Sequence, residues 1–221
     1  MLKLSGRHVL RGLLVAAAAA GLTMAPVSHG QGANPRNTAA IAAGKEAIAS
    51  MEQELGAVRS TITAIEAASR EAHAWKVYAA WLEGQMALGR QSFDAKKPDA
   101  KPVVTTKAAE AKTGLEAARA WREAKRTEFN ALISNAPIDQ RPAVRPELEA
   151  ILSAEASNIN LADQLVRDFD NVLQSLGEGI PPYALFNARA QMREQAATML
   201  KQADDSITAA SEKLKALQLP G

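Results

Sequence analysis

The sequence predicts an all-α protein: an elongated up-down antiparallel bundle of about four long helices with coiled-coil-like seams, the first helix the longest. Apolar residues return every three or four positions through most of the 221-residue chain, no stretch alternates with period two, and clusters of proline and glycine divide the periodic segments. Sustained 3–4 spacing marks helices that bury one stripe against other helices, and short connections favour antiparallel neighbours.

Residues 1–30 read as a signal peptide ahead of that bundle. Lys3, Arg7 and Arg11 form a positive n-region, Gly12 to Ala25 is a weakly polar-to-apolar run, and small residues at Ser28 and Gly30 favour cleavage between Gly30 and Gln31. The run is shorter than the roughly 20 residues a membrane-spanning helix needs. The expectation is a periplasmic or secreted protein with no membrane insertion after signal cleavage, residues 31–221 forming a single helical-bundle domain.

Cleavage also changes the charge. The whole chain has 26 Lys+Arg and 24 Asp+Glu, a formal net charge of +2, but residues 1–30 carry three basic residues and no acidic one. The exported chain therefore has 23 against 24, a net charge of −1. That balance offers no attraction to nucleic acid or to an anionic lipid surface. With no cysteine there is no disulfide, no lipoprotein acylation site and no c-type haem attachment. Packing alone must hold the domain together.

Helix one is expected over 37–93, with Asn37 or Thr38 at its start and Pro35 upstream. Its seam is Ile41, Ile48, Leu55 and Ile62, with Met51, Val58 and Ile65 between them. Past Ala72 the strict heptad would place Lys76 and Glu83 inside, so the stripe shifts to Trp75, Tyr78 or Ala79, Leu82 and Met86, a change of phase. At 1.5 Å per residue a continuous helix would reach about 85 Å. Either it bends or breaks near Ser69 to Ala72, or its far third projects beyond its neighbours.

Residues 94–106, with Pro98 and Pro102, read as an exposed loop. Helix two follows over 107–134, its face formed by Ala108, Ala111, Leu115, Ala118, Trp121 or Arg122, Phe129 and Leu132. Helix three, over 146–176, is bracketed at its start by Pro142 and Pro146 because proline suits only a helix's first turn. Its stripe is Leu148, Leu152, Ile159, Ala162, Val166, Phe169, Leu173 and Leu176. Gly177 to Pro182 makes the sharpest turn, and helix four covers 182–217.

Few residues in this chain could carry chemistry. Outside the signal segment His73 is the lone histidine, so the paired Glu-x-x-His motifs of di-iron bundles cannot be built. A haem held between His73 and Met192 or Met199 is a remote alternative, and Met51, Met86, Met192 and Met199 fall at seam spacing as core filler. No serine lies in a nucleophile-elbow motif. The pairs Asp168/Asp170 and Asp204/Asp205 each place at least one acid on a polar face and read as solvated surface. No enzymatic activity, no cofactor and no metal site are expected.

The local feature that stands out is Trp75-x-x-Tyr78-x-x-Trp81, three rings fanned over about 120° of helix face. One reading is a broad core patch backed by Trp121 and Phe129. The other leaves one ring, Trp81 above all, exposed as an anchor for a protein partner, as aromatic hot spots often are. Trp75, Tyr78 and Trp81 are thus the candidate partner-binding residues. The function expected is that of an exported, non-catalytic helical-bundle protein of the cell envelope acting through protein–protein contacts, self-association included, as adaptor or structural module. The alternative is a periplasmic holding chaperone that clamps unfolded clients between helical arms.

Overall fold

The computed structural model describes residues 35–94, 96–97 and 99–217. The signal peptide and its cleavage point lie outside the described residues. All regular structure described is helical, in six helices: α1 (Pro35–Ala67), α2 (His73–Phe93), α3 (Ala100–Asn135), α4 (Arg141–Gly177), α5 (Pro182–Ala188) and α6 (Ala190–Ala216).

The count differs from four because two expected helices are divided. The chain expected as one helix over 37–93 stops after Ala67 and restarts at His73. Ser69 adopts φ 58°, its N–H donates to Glu66 O at 3.0 Å, and the Arg70 N–H donates to Ile65 O at 3.0 Å. That pair of backward bonds around a left-handed residue is a Schellman stop. The helix expected over 182–217 divides at Arg189, whose φ of −104° and ψ of 8° end α5 and open α6.

Two other boundaries move outward. Residues 99–106 were expected as loop, but α3 begins at Ala100, because the Asp99 side chain accepts from Lys101 N at 3.0 Å and Pro102 falls harmlessly in the first turn. Helix α4 begins at Arg141 and runs through Pro146. The missing N–H of Pro146 costs a single bond close to the open end of the helix, while Val144 and Leu148 on either side are buried.

Helix α2 is the centre. It touches α1, α3, α4, α5 and α6, and within it only His73, Lys76, Glu83 and the last turn escape burial. A helix apolar nearly all round is stable only when others enclose it. Helix α1 lies antiparallel on it, with Arg90 paired to Glu52, Arg59 to Glu83 at 3.1 Å and Lys76 to Glu66 at 2.6 Å. Ile48, Met51, Leu55, Val58 and Ile65 fill that seam. Gly44 already faces Phe93 at the end of α2, so Ile41, nearly one turn earlier, is left 44 % exposed.

The remaining long pairs are also antiparallel. Lys107 and Gly114 of α3 meet Glu83 and Val77 of α2. Lys112 and Arg119 of α3 pair with Asp170 and Asp163 of α4, while Asp168 and Glu147 of α4 pair with Arg189 at the head of α6 and with Lys213 near its end. Close approach is set by Gly84 and Gly89 of α2. A Cβ on Gly84 would sit 2.6 Å from the Phe169 ring, and one on Gly89 would sit 2.9 Å from both Ile48 and Phe186.

Candidate functional site

Trp75, Tyr78 and Trp81 all point inward. Trp75 is 7 % exposed and the other two are fully buried. Spacing of three turns each ring about 60° behind the last, and the polar tips consequently reach three different helices. Trp75 Nε1 donates to Asp204 of α6 at 2.8 Å, Tyr78 Oη to Glu54 of α1 at 2.6 Å, and Trp81 Nε1 to Asp168 of α4 at 2.8 Å. The rings touch in series, edge to face at 6.2 Å and then stacked at 6.1 Å. Desolvation, reinforced by the bond to Glu54, drives the Tyr78 phenol well above its ordinary pKa.

Trp81 is therefore not an exposed anchor. The triad pins α2 to its neighbours. Of the two residues expected to back it, Trp121 lines a small cavity beside Trp75, whereas Phe129 packs on a separate cluster with Ile207.

Two of the three carboxylates that receive these tips, Asp168 and Asp204, were expected at the solvated surface. Asp170 and Asp205 are exposed as expected, but Asp168 is buried and Asp204 is mostly so. Asp168 also accepts from Arg189 Nε at 2.6 Å and from Gln85 Nε2 at 3.4 Å. Arg189 in turn donates to Leu185 O at 3.0 Å, which ties the α5–α6 break to α4 and α2. Asp204 receives Arg70 at 3.4 Å as well as Trp75, which holds the α1–α2 connector against α6.

A second polar group lies behind Asp204. Glu155 and Asn158, three residues apart on α4, line a cavity of about 10 Å³ together with Asp204, Trp75 and Trp121. Both are buried, and Asn158 Oδ1 has no hydrogen-bond partner among the described residues. Burial first, and then the charge of Asp204, push Glu155 up to about 7. The apolar stripe expected on α4 skipped these two residues. Val144, Ile151, Leu165 and Val172 repeat every seven residues, and Asn158 occupies the gap in that series. That gap was the available signal.

On the opposite side of α2 an open groove of about 980 Å³ runs between α1 and α3. Its floor is Ala79 and Ala80. Thr105, Thr106 and Thr113 line its α3 wall, but their hydroxyls donate back to Lys101, Pro102 and Ala109 carbonyls, so they can present methyl groups. Its charges are already paired: Glu83 with Arg59 and Lys107, Lys107 with Glu110, and Lys76 with Glu66.

His73 stands 3.0 Å from Glu71 Oε2, and burial lowers its pKa against the pull of that carboxylate. Neither cavity that His73 lines includes Met192 or Met199. Among the described residues no group of three or more His, Cys, Asp or Glu side chains is placed to hold a metal ion, and no helix is long and apolar enough to cross a membrane. No known protein family matches the chain, and no curated protein or solved structure shows significant similarity to it.

Proposed function

We propose that the protein is an exported, non-catalytic module of the cell envelope, an up-down helical bundle that acts by binding an apolar segment of a partner protein along the groove between α1 and α3. The observation that carries this reading is the groove itself. It is floored by Ala79 and Ala80 and walled by threonines whose hydroxyls are spent within α3, with its charges neutralised in pairs. Such a surface favours an apolar protein segment over a nucleic acid or an anionic ligand, which would need unpaired cations. The antiparallel pairing of successive long helices supports the bundle, and the net charge of −1 expected after cleavage at Gly30 fits a protein partner. The buried triad Trp75, Tyr78 and Trp81 serves this surface indirectly, by fixing how α1 and α3 flank α2.

In-cell photo-crosslinking from position 109 on the groove wall, with position 167 on the exposed face of α4 as control, tests it. One dominant partner captured from 109 and absent from 167 is the expected result. A ladder of many unrelated envelope proteins would move the reading to a holding chaperone. Capture of nothing but the chain itself would leave self-association, and no capture from either position would overturn the groove as a binding surface. The mature protein recovered from the envelope fraction should have a mass beginning at Gln31.

A further inference from the structure

We propose that the cavity between α4, α6 and the α1–α2 connector is a proton-binding site, in which the Glu155 carboxyl takes one proton and donates it to Asn158 Oδ1, directly or through one water. The cavity, about 10 Å³, has room for a single water and no larger ligand. Three features of the geometry assign the proton to Glu155.

The first is the division of donors. Asp204 receives Trp75 Nε1 at 2.8 Å and Arg70 at 3.4 Å, so two donors already satisfy its carboxylate. Glu155 has no hydrogen-bond or ion-pair partner among the described residues. The second is Asn158 Oδ1, a buried acceptor on a side chain 4 % exposed, lacking the donor that a protonated Glu155 supplies. The third is the disposition of the other charges facing the cavity. From α3, Arg122 contributes some attraction, but its Nε is committed to Leu152 O at 3.2 Å. From the connector, Arg70 is committed to Asp204. Glu71 faces His73 of α2. Asp204 of α6 adds repulsion. Neither guanidinium is ion-paired with Glu155, and although both attract its ionised form, burial outweighs them and raises its pKa first of all.

The proton comes from and returns to bulk water. While it is bound, Glu155 adds no charge beside Asp204, which stays available to Arg70 and Trp75. Once it leaves, two carboxylates face each other beside the connector. Glu155 titrates well above its ordinary value, so the folded state holds a proton that the unfolded chain releases. The stabilisation is full below the ordinary glutamate range and is lost as pH rises toward 7.

The test is carboxyl NMR of the purified chain labelled at glutamate Cδ, titrated from pH 4 to 9, with Tm recorded across the same range. One glutamate, Glu155, should titrate near neutrality. Glu155→Gln should remove the neutral titration and flatten the fall of Tm between about pH 5 and 8. Asp204→Asn should lower the midpoint. The wild-type titration stands even if a variant fails to fold. The proposal is overturned if every glutamate titrates in the ordinary range, if the neutral titration survives in Glu155→Gln, or if millimolar calcium or manganese shifts the Glu155 signal at pH 8, which would make the cavity a metal site.

Discussion

Replacing Asp168 by alanine removes the carboxylate that faces the Arg189 guanidinium, and leaves Trp81 Nε1 and Gln85 Nε2 without their acceptor. Removing one partner of a buried ion pair costs about 3–5 kcal/mol, because the other charge stays buried and uncompensated. Asp168→Ala and Arg189→Ala should each lower the unfolding free energy measured in urea by that much, and the double variant should cost clearly less than the sum of the two. Additive losses would mean that the two residues are not coupled. The carboxylates also mark the limit of what was legible at this scale. Asp168 and Asp204 each sit beside a second acid, and a helical pattern without neighbours cannot tell which of the two faces in. The aromatic triad was visible as a feature, but its direction depended on acceptors from α1, α4 and α6. Glu155 was invisible because a carboxyl at a seam position looks like surface until its neighbours are placed. Its rise from 4.5 to about 7 corresponds to about 3 kcal/mol of stability given up between those pH values.

Two helices end in the same hydrogen-bonding motif, and only one was legible. At the end of α4, Gly179 takes φ 80°, its N–H donates to Leu176 O at 3.2 Å and the Ile180 N–H donates to Ser175 O at 2.9 Å. The Gly-x-Gly before Pro181 announces that stop. At the end of α1 the same left-handed position is held by Ser69, which carries no such signal, since residues with a Cβ are disfavoured there. The phase change of the apolar stripe was the trace of this break. Packing forces it: α2 must fold back antiparallel on α1 so that Trp75 and Arg70 reach Asp204. Ser69→Gly should therefore raise stability by about 0.5–1 kcal/mol, read as a higher urea midpoint. No change or a loss would show that Ser69 is not strained. Gly84→Ala should act the other way. Alanine is the better helix former by about 1 kcal/mol, yet its Cβ would lie 2.6 Å from the buried Phe169 ring. A net loss of about 1–3 kcal/mol is expected from the overpacking.

Across the whole set of described helices the apolar contacts fall into two clusters of unequal weight. The larger surrounds α2 and holds the triad, Phe169, Phe186 and the α1 seam. The smaller joins α4 and α6 through Ile151, Ala154, Ala203, Ile207 and Ala210, with Phe129 of α3 and Leu214 half-buried at its edge. Three of its five buried members are alanine, so each helix crossing there removes little apolar area from water. At the adjoining end, Ile138 in the α3–α4 turn is 80 % exposed and Leu132 in the last turn of α3 is 46 % exposed. Helix α2 is too short to reach this end, and the long seams of α3 and α4, uniform in the sequence, give no sign of where it stops. Stability should follow the clusters and not the helices. Hydrogen exchange is the measure, because regions with few buried apolar contacts open by local fluctuation at lower free energy than the core. Amides of residues 119–150 and 203–216 should exchange well before those of residues 74–93, with the difference falling within α3 and α6 and not at their ends. Ile207→Ala should widen it, costing about 2–5 kcal/mol in the weak half while leaving protection of α2 unchanged. Uniform protection along α3, or simultaneous loss everywhere in Ile207→Ala, would mean that the two clusters unfold as one cooperative unit.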